Sequence, residues 1–129
     1  MNKILVEVSV GELLDKISIL EIKKEKIKDP TKLKFINDEH NILKGQFEQN
    51  VNSDDKLNNL FQSLKEINAK LWVIEDDKRL CEKNKDFSEK FIKLSRDVHF
   101  LNDDRAKIKL KMNNYTGSKI KEIKEYTSY

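Results

Sequence analysis

Three features of this 129-residue chain predict an all-α fold. Apolar residues recur at alternating spacings of three and four through its second half, which is the period of helices that bury one seam against other helices. Three glycines and one proline leave few places for a sharp turn. Charged residues make up 38% of the chain and hydrophobic ones 37%; against a usual charged share of roughly 25%, this suits long helices with solvated outer faces. The expected architecture is an antiparallel bundle of about four helices, two of them long and heptad-patterned, with a short extended N-terminal arm. One domain is expected over residues 1–129, with an arm at 1–10, helices over 11–113 and a tail at 118–129.

Lys3 to Val10 alternates weakly and predicts an extended arm or an edge strand. Ser9 followed three residues later by Glu12 is a capping box that opens the first helix. Leu13, Ile17, Leu20 and Ile27 form its seam, with Ile19 and Ile22 off that line. Asp29 and Pro30 end it, because proline biases the preceding residue away from helical geometry. Thr31 then caps a second helix with the seam Leu33, Ile36, Leu43 and Phe47.

The polar stretch Asn50 to Asp55 is a loop. The third helix is expected from about Asp54 to Asn84, on the order of 45 Å long, with Leu57, Leu60, Leu64, Ile67, Leu71, Ile74 and Cys81 on its seam and Lys78 breaking it. Asp86 and Glu89 repeat the cap logic for the fourth, whose seam of Phe87, Phe91, Leu94, Val98, Leu101, Ile108 and Met112 is interrupted at Arg105. That helix is expected to reach about Asn113, with Gly117 as its left-handed stop and a short helix possible in the tail. Phe61, Trp72, Val73, Leu80, Ile92, Phe100 and Leu110 lie off the main seams and give the long pair a second apolar face. This face predicts a homodimer or higher homo-oligomer, the competing arrangement being one in which the first two helices cover it.

Net charge is +3, with 26 basic and 23 acidic residues interleaved. No basic patch gathers on one face, so nucleic-acid binding is not expected. The opening residues are too short and too interrupted by Glu7 for a signal peptide, and no run approaches the length of a membrane span. The expected location is therefore the cytoplasm. The single Cys81 reads as a buried thiol on its seam.

The segments SVGELLDKISILEIK (Ser9 to Lys23), LWVIEDDKR (Leu71 to Arg79) and FIKLSRDVHFLNDDRAKIK (Phe91 to Lys109), with the closing Tyr126 and Tyr129, resemble a bacterial family of small helical proteins classed as a domain of unknown function. Genes of that family often lie near glycosyltransferase or surface-polysaccharide genes. The resemblance spans nearly the whole chain and implies no defined activity. Val10 stands where the family usually has proline, and Lys78 where it usually has an aliphatic residue, which loosens the expected seam at that level.

Of the 26 basic residues only Arg79, Arg96 and Arg105 are arginine, in a chain whose many Lys, Asn and Ile point to an AT-rich genome. Arginine kept under such pressure suggests a need for the guanidinium fork, which grips carboxylate or phosphate with two hydrogen bonds at once. Trp72, Glu75, Asp76 and Arg79 share one side of the third helix. Arg96 shares the second face of the fourth with Asp103, and Glu12 and Asp15 stand near the start of the first. The candidate ligand-binding set is therefore Asp15, Trp72, Glu75, Asp76, Arg79, Arg96, Asp103 and Arg105, suited to a phosphate, a sugar nucleotide or a divalent ion.

Each has a plainer explanation. Glu75 and Arg79 are spaced for an intrahelical ion pair of about 0.3–0.5 kcal/mol, Arg105 for a register-setting polar seam residue and Trp72 for packing. His40 lies on the second helix's seam and reads as a satisfied, partly buried imidazole. A magnesium-dependent pyrophosphohydrolase needs facing pairs of carboxylates, and Glu21 with Glu25, Asp76 with Asp77 and Glu122 with Glu125 make only an incomplete set. No serine sits on a glycine-flanked nucleophile turn. No catalytic residue, metal ligand or cofactor is assigned. The expected function is that of a non-enzymatic oligomeric binding or scaffold protein, the alternative being a binder, or metal-dependent hydrolase, of a small phosphorylated ligand.

Overall fold

A computed structural model describes residues 2–129 and contains four helices in an all-α bundle: α1 (Val10–Lys26), α2 (Pro30–Asn50), α3 (Asp55–Lys83) and α4 (Glu89–Thr116). Residues 2–9 carry no secondary structure, so the strand alternative for the arm is not realised among the described residues. The tail after Gly117 is likewise without a helix.

The helix ends follow capping chemistry, with two corrections. Ser9 Oγ accepts the amide of Glu12 at the start of α1, and Asp54 Oδ1 accepts that of Leu57 at the start of α3. α1 stops at Lys26, before the Asp29–Pro30 pair. That pair opens α2: Asp29 Oδ1 accepts the amide of Thr31, and Pro30 takes the first helical position, where its missing N–H costs nothing. The sequence reading gave this cap to Thr31. α4 has its N-cap at Ser88, with no side-chain cap hydrogen bond, where the sequence predicts a cap at Asp86; Asp86 Oδ1 instead accepts the Ser88 amide, and the helix runs on to Thr116 before Gly117 turns left-handed at φ 72°. Between α3 and α4, Lys85 adopts φ 56°, and the Asp86 amide returns to the Cys81 carbonyl.

α3 and α4 form an antiparallel hairpin. Tyr115 Oη, near the end of α4, donates to Asp54 Oδ2 at the start of α3, while Arg105 meets Asn68 midway. α1 packs against both long helices, and α2 packs against α1 alone among the helices. The core gathers Leu14, Ile17, Leu57, Leu64 and Met112, flanked by Leu13, Leu43, Phe47, Leu60, Phe61 and Ile108. On α1 the buried line runs through Leu14, Ile17, Leu20 and Ile22; Leu13 is half-buried and Ile22 is the most enclosed. Cys81 is buried, in line with its seam position.

Because α2 rides on α1, the first two helices do not cover the whole long pair. Val73, Leu80, Ile92 and Phe100 remain 48%, 49%, 54% and 40% exposed. Phe61 and Trp72, grouped with that face from sequence, are half-buried, Phe61 against the core and Trp72 in a cleft bordered by α1. Among the described residues, no helix is long and apolar enough to cross a membrane.

α1 and α4 approach closely at Gly11. Its amide donates to Asn113 Oδ1 at 2.7 Å, and the Val10 amide donates to Ser118 Oγ at 3.0 Å, so residues at the end of α4 satisfy free donors of α1's first turn. A Cβ at position 11 would stand 2.7 Å from the Lys109 carbonyl oxygen and 2.9 Å from Asn113 Oδ1. Backbone cannot yield there as a flexible side chain would. Gly11→Ala is therefore expected to destabilise the fold by about 2 kcal/mol through overpacking, read as a lower urea midpoint at unchanged slope.

Candidate functional site

Five of the eight sequence-predicted residues meet in one place. Trp72, Glu75, Asp76 and Arg79 of α3 and Arg105 of α4 line a cleft of about 290 Å³, with Ile19 and Ile22 of α1 and Asn68 and Leu71 of α3 completing its wall. The spacing of the α3 residues puts them on one side of that helix, and Arg105 arrives because it interrupts the α4 seam facing α3. Glu75, Asp76 and Arg79 are exposed, while Trp72 and Arg105 are half-buried.

Arg105 is held from behind. Its Nη1 donates to Asn68 Oδ1 at 3.1 Å and its Nη2 to Asn102 Oδ1 at 2.6 Å, two of the five donors a guanidinium carries. Among the described residues, no carboxylate lies within 4.0 Å of a guanidinium nitrogen of Arg79, Arg96 or Arg105. The intrahelical Glu75–Arg79 pair anticipated from spacing is thus not formed.

The other three predicted residues stand elsewhere. Asp15 is buried behind the cleft, accepting from Asn68 Nδ2 at 2.8 Å and facing Lys109 Nζ at 3.6 Å. Asp103 accepts from Tyr129 Oη and lines a separate depression with His99, Arg105, Tyr126 and Tyr129, where His99, Phe100 and Tyr129 rings meet within 5.3 Å. That carboxylate beside the phenol holds Tyr129 above its ordinary pKa. Arg96 lies on another side of α4, with Ile92, Asp97 and Phe100.

Sequence reasoning missed the residues that build the floor. Asn68, 4% exposed, donates to Asp15 and to Ser18 Oγ at 2.8 Å each and accepts from Arg105. Next along α4, Lys109 is buried with its ammonium on Glu12 at 2.8 Å, Glu122 at 3.3 Å and Asp15. An asparagine one turn from Leu64 and Leu71 and a lysine one turn beyond Arg105 are the available signals, and neither stands out from the other polar residues of its helix.

The remaining candidates resolve simply. Glu21 and Glu25 both pair with Lys65, at 3.3 and 3.0 Å, rather than facing other carboxylates. His40 is buried, with Nε2 3.6 Å from Glu21 Oε2, and neither ring nitrogen has a hydrogen-bond partner among the described residues; the sequence reading had it satisfied.

Comparison with known proteins places residues 4–129 in the family described as "Family of unknown function (DUF6165)". The chain belongs to this family. No curated protein and no solved structure matches it.

Burial alone would lower the Lys109 pKa, but Glu12, Asp15 and Glu122 outweigh it and hold the ammonium above its ordinary 10.5. A lysine whose folded pKa exceeds its unfolded one stabilises fully below the unfolded value and loses that contribution as pH rises through the folded value. The wild-type protein should therefore lose stability above about pH 10.5. Lys109→Met should cost about 3 kcal/mol at neutral pH, since it leaves the buried Asp15 without its facing cation, and should show a shallower alkaline decline, both measured by urea unfolding across pH.

Proposed function

We propose that this DUF6165 chain is a non-enzymatic binding protein that works as a homo-oligomer, its copies joined through the outer face of α3 and α4. The observation that carries this reading is an apolar groove of about 660 Å³ between the two long helices, lined by Ala69, Val73 and Ile74 of α3 and Phe100 and Leu101 of α4, with Lys70 and Asp97 beside them. No α1 or α2 residue reaches it. An apolar strip along two antiparallel helices is self-complementary about a two-fold axis, and burying a phenylalanine there contributes about 1.5–3 kcal/mol per side chain. Phe100→Glu should lower the subunit count of the oligomer in sedimentation equilibrium while far-UV circular dichroism stays the same. A wild-type protein that is monomeric at tens of micromolar, or a variant that keeps its assembly, removes this reading.

A second reading rests on the cleft, because Arg79 and Arg105 line it without carboxylate partners. A phosphorylated sugar or a nucleotide suits the set: phosphate oxygens accept from the guanidinium forks, the ring lies on Trp72, and its hydroxyls donate to Glu75 and Asp76. The gene neighbourhood that the family resemblance implies, surface-polysaccharide synthesis in the bacterial cytoplasm, would supply such compounds. Arg79→Lys should weaken binding of uridine diphosphate glucose at least tenfold in isothermal titration calorimetry, with assembly unchanged. Equal affinity in the lysine variant, or no heat from wild type with either uridine diphosphate glucose or glucose 1-phosphate, overturns it.

A further inference from the structure

We propose that residues 3–7 of two copies pair as antiparallel β-strands about a two-fold axis at Leu5. This contact goes beyond the α3–α4 groove and uses a different surface. The segment reads Lys3, Ile4, Leu5, Val6, Glu7, and its apolar side chains are among the most exposed of the chain, with Ile4 at 91%, Leu5 at 87% and Val6 at 78%. Branched aliphatic residues favour strands, yet residues 2–9 pair with nothing in the single chain. Its root is fixed, since Ser9 caps α1 and the Val10 amide is held by Ser118 Oγ. The arm therefore leaves the helical body as an unpaired edge with a defined exit.

Charge chooses the occupant and the register. In antiparallel pairing with Leu5 facing its own copy, Lys3 of each chain stands opposite Glu7 of the other, and Ile4 stands opposite Val6 twice. Shifting the register by one residue sets Glu7 opposite Asn2 or Ile4 and Lys3 opposite Val6 or Val8, so neither charge finds its opposite. Parallel in-register pairing sets Lys3 against Lys3 and Glu7 against Glu7, which is destabilising. Only the arrangement centred on Leu5 matches both charges and all three apolar positions, and its antiparallel sense places the two helical bodies at opposite ends of the ribbon. Successive side chains alternate, so Ile4, Val6 and Val8 share one face. A bare two-stranded ribbon is marginal; the four facing Ile4 and Val6 side chains give this one an apolar side to bury.

Cysteine scanning of the full chain tests this directly, because Cys81 is buried and an introduced thiol reports alone. Facing residues in an antiparallel pair lie about 4.5–5.5 Å apart at Cα, within disulfide reach. Under mild oxidation Leu5→Cys should give a disulfide-linked dimer, and Ile4→Cys, which faces Val6, should not. Glu7→Lys should weaken association at least tenfold in sedimentation equilibrium, and the swap Lys3→Glu/Glu7→Lys should restore it. Equal crosslinking at positions 4 and 5, or a swap that fails to restore association lost in Glu7→Lys, overturns the proposal. Assembly lost in Phe100→Glu but untouched by Glu7→Lys leaves the groove reading standing and sinks this one. Leu5→Cys crosslinking that persists in a Phe100→Glu background supports the arm on its own.

Discussion

The bundle depends on the side chain of Asn68. An asparagine amide carries two N–H donors and an acceptor oxygen, and here each has a partner on a specific neighbour: Asp15 and Ser18 of α1 take the donors, and Arg105 of α4 gives to the oxygen. The amide orientation is forced, because a carboxylate can only accept and a guanidinium can only donate. Three helices are thereby fixed against each other by one residue at the level where the leucine seams would otherwise allow them to slide. An apolar residue there would pack, but it would leave Asp15 without a donor at a buried position, where an unpaired polar group costs about 1–3 kcal/mol or more.

From Asn68 the polar chain continues through Asp15 to Lys109 and then to Glu12 and Glu122. Its members alternate in sign, so the buried charges offset each other locally instead of summing. Glu122 brings the tail into this network, which gives residues beyond Gly117 a fixed contact although they form no helix. The same end of the bundle holds Gly11 against Asn113, so the close approach and the Lys109–Glu12 pair at 2.8 Å both join α1 to α4 there.

Much of this fold was legible because helical period is a local property. Seam positions such as Leu57, Leu64 and Met112 are buried where the period puts them, and the cap at Ser9 was written in adjacent residues. What was not legible is which neighbour each face meets. Phe61 and Trp72 sit off the α3 seam much as Val73 does, yet α1 shelters the side where the first two lie and leaves Val73 bare. Period gives an angle around a helix and says nothing of the partner at that angle. The Asp29–Pro30 cap was misread for a related reason: the same dipeptide can close one helix or open the next, and only the path of the chain decides. The cleft was half legible, since α3 spacing gathers Trp72, Glu75, Asp76 and Arg79, whereas Asn68 and Lys109 reveal themselves only through residues far away in sequence.

The cleft and the core are therefore one construction. Arg105 reaches the cleft wall with its guanidinium already held by Asn68 and Asn102, so little freedom remains to be lost when a ligand meets its free donors. Arg79, one helix away and exposed, has no such support, so on the proposed phosphate-binding reading it would have to be ordered by the ligand. On that reading the two arginines would divide the work: Arg105 would supply a preset position, and Arg79 a charge free to close over a ligand. Because Arg105 is part of the polar chain that locks α1, α3 and α4, a ligand that binds it also binds only the folded state, and its free energy adds to the stability of the bundle by mass action.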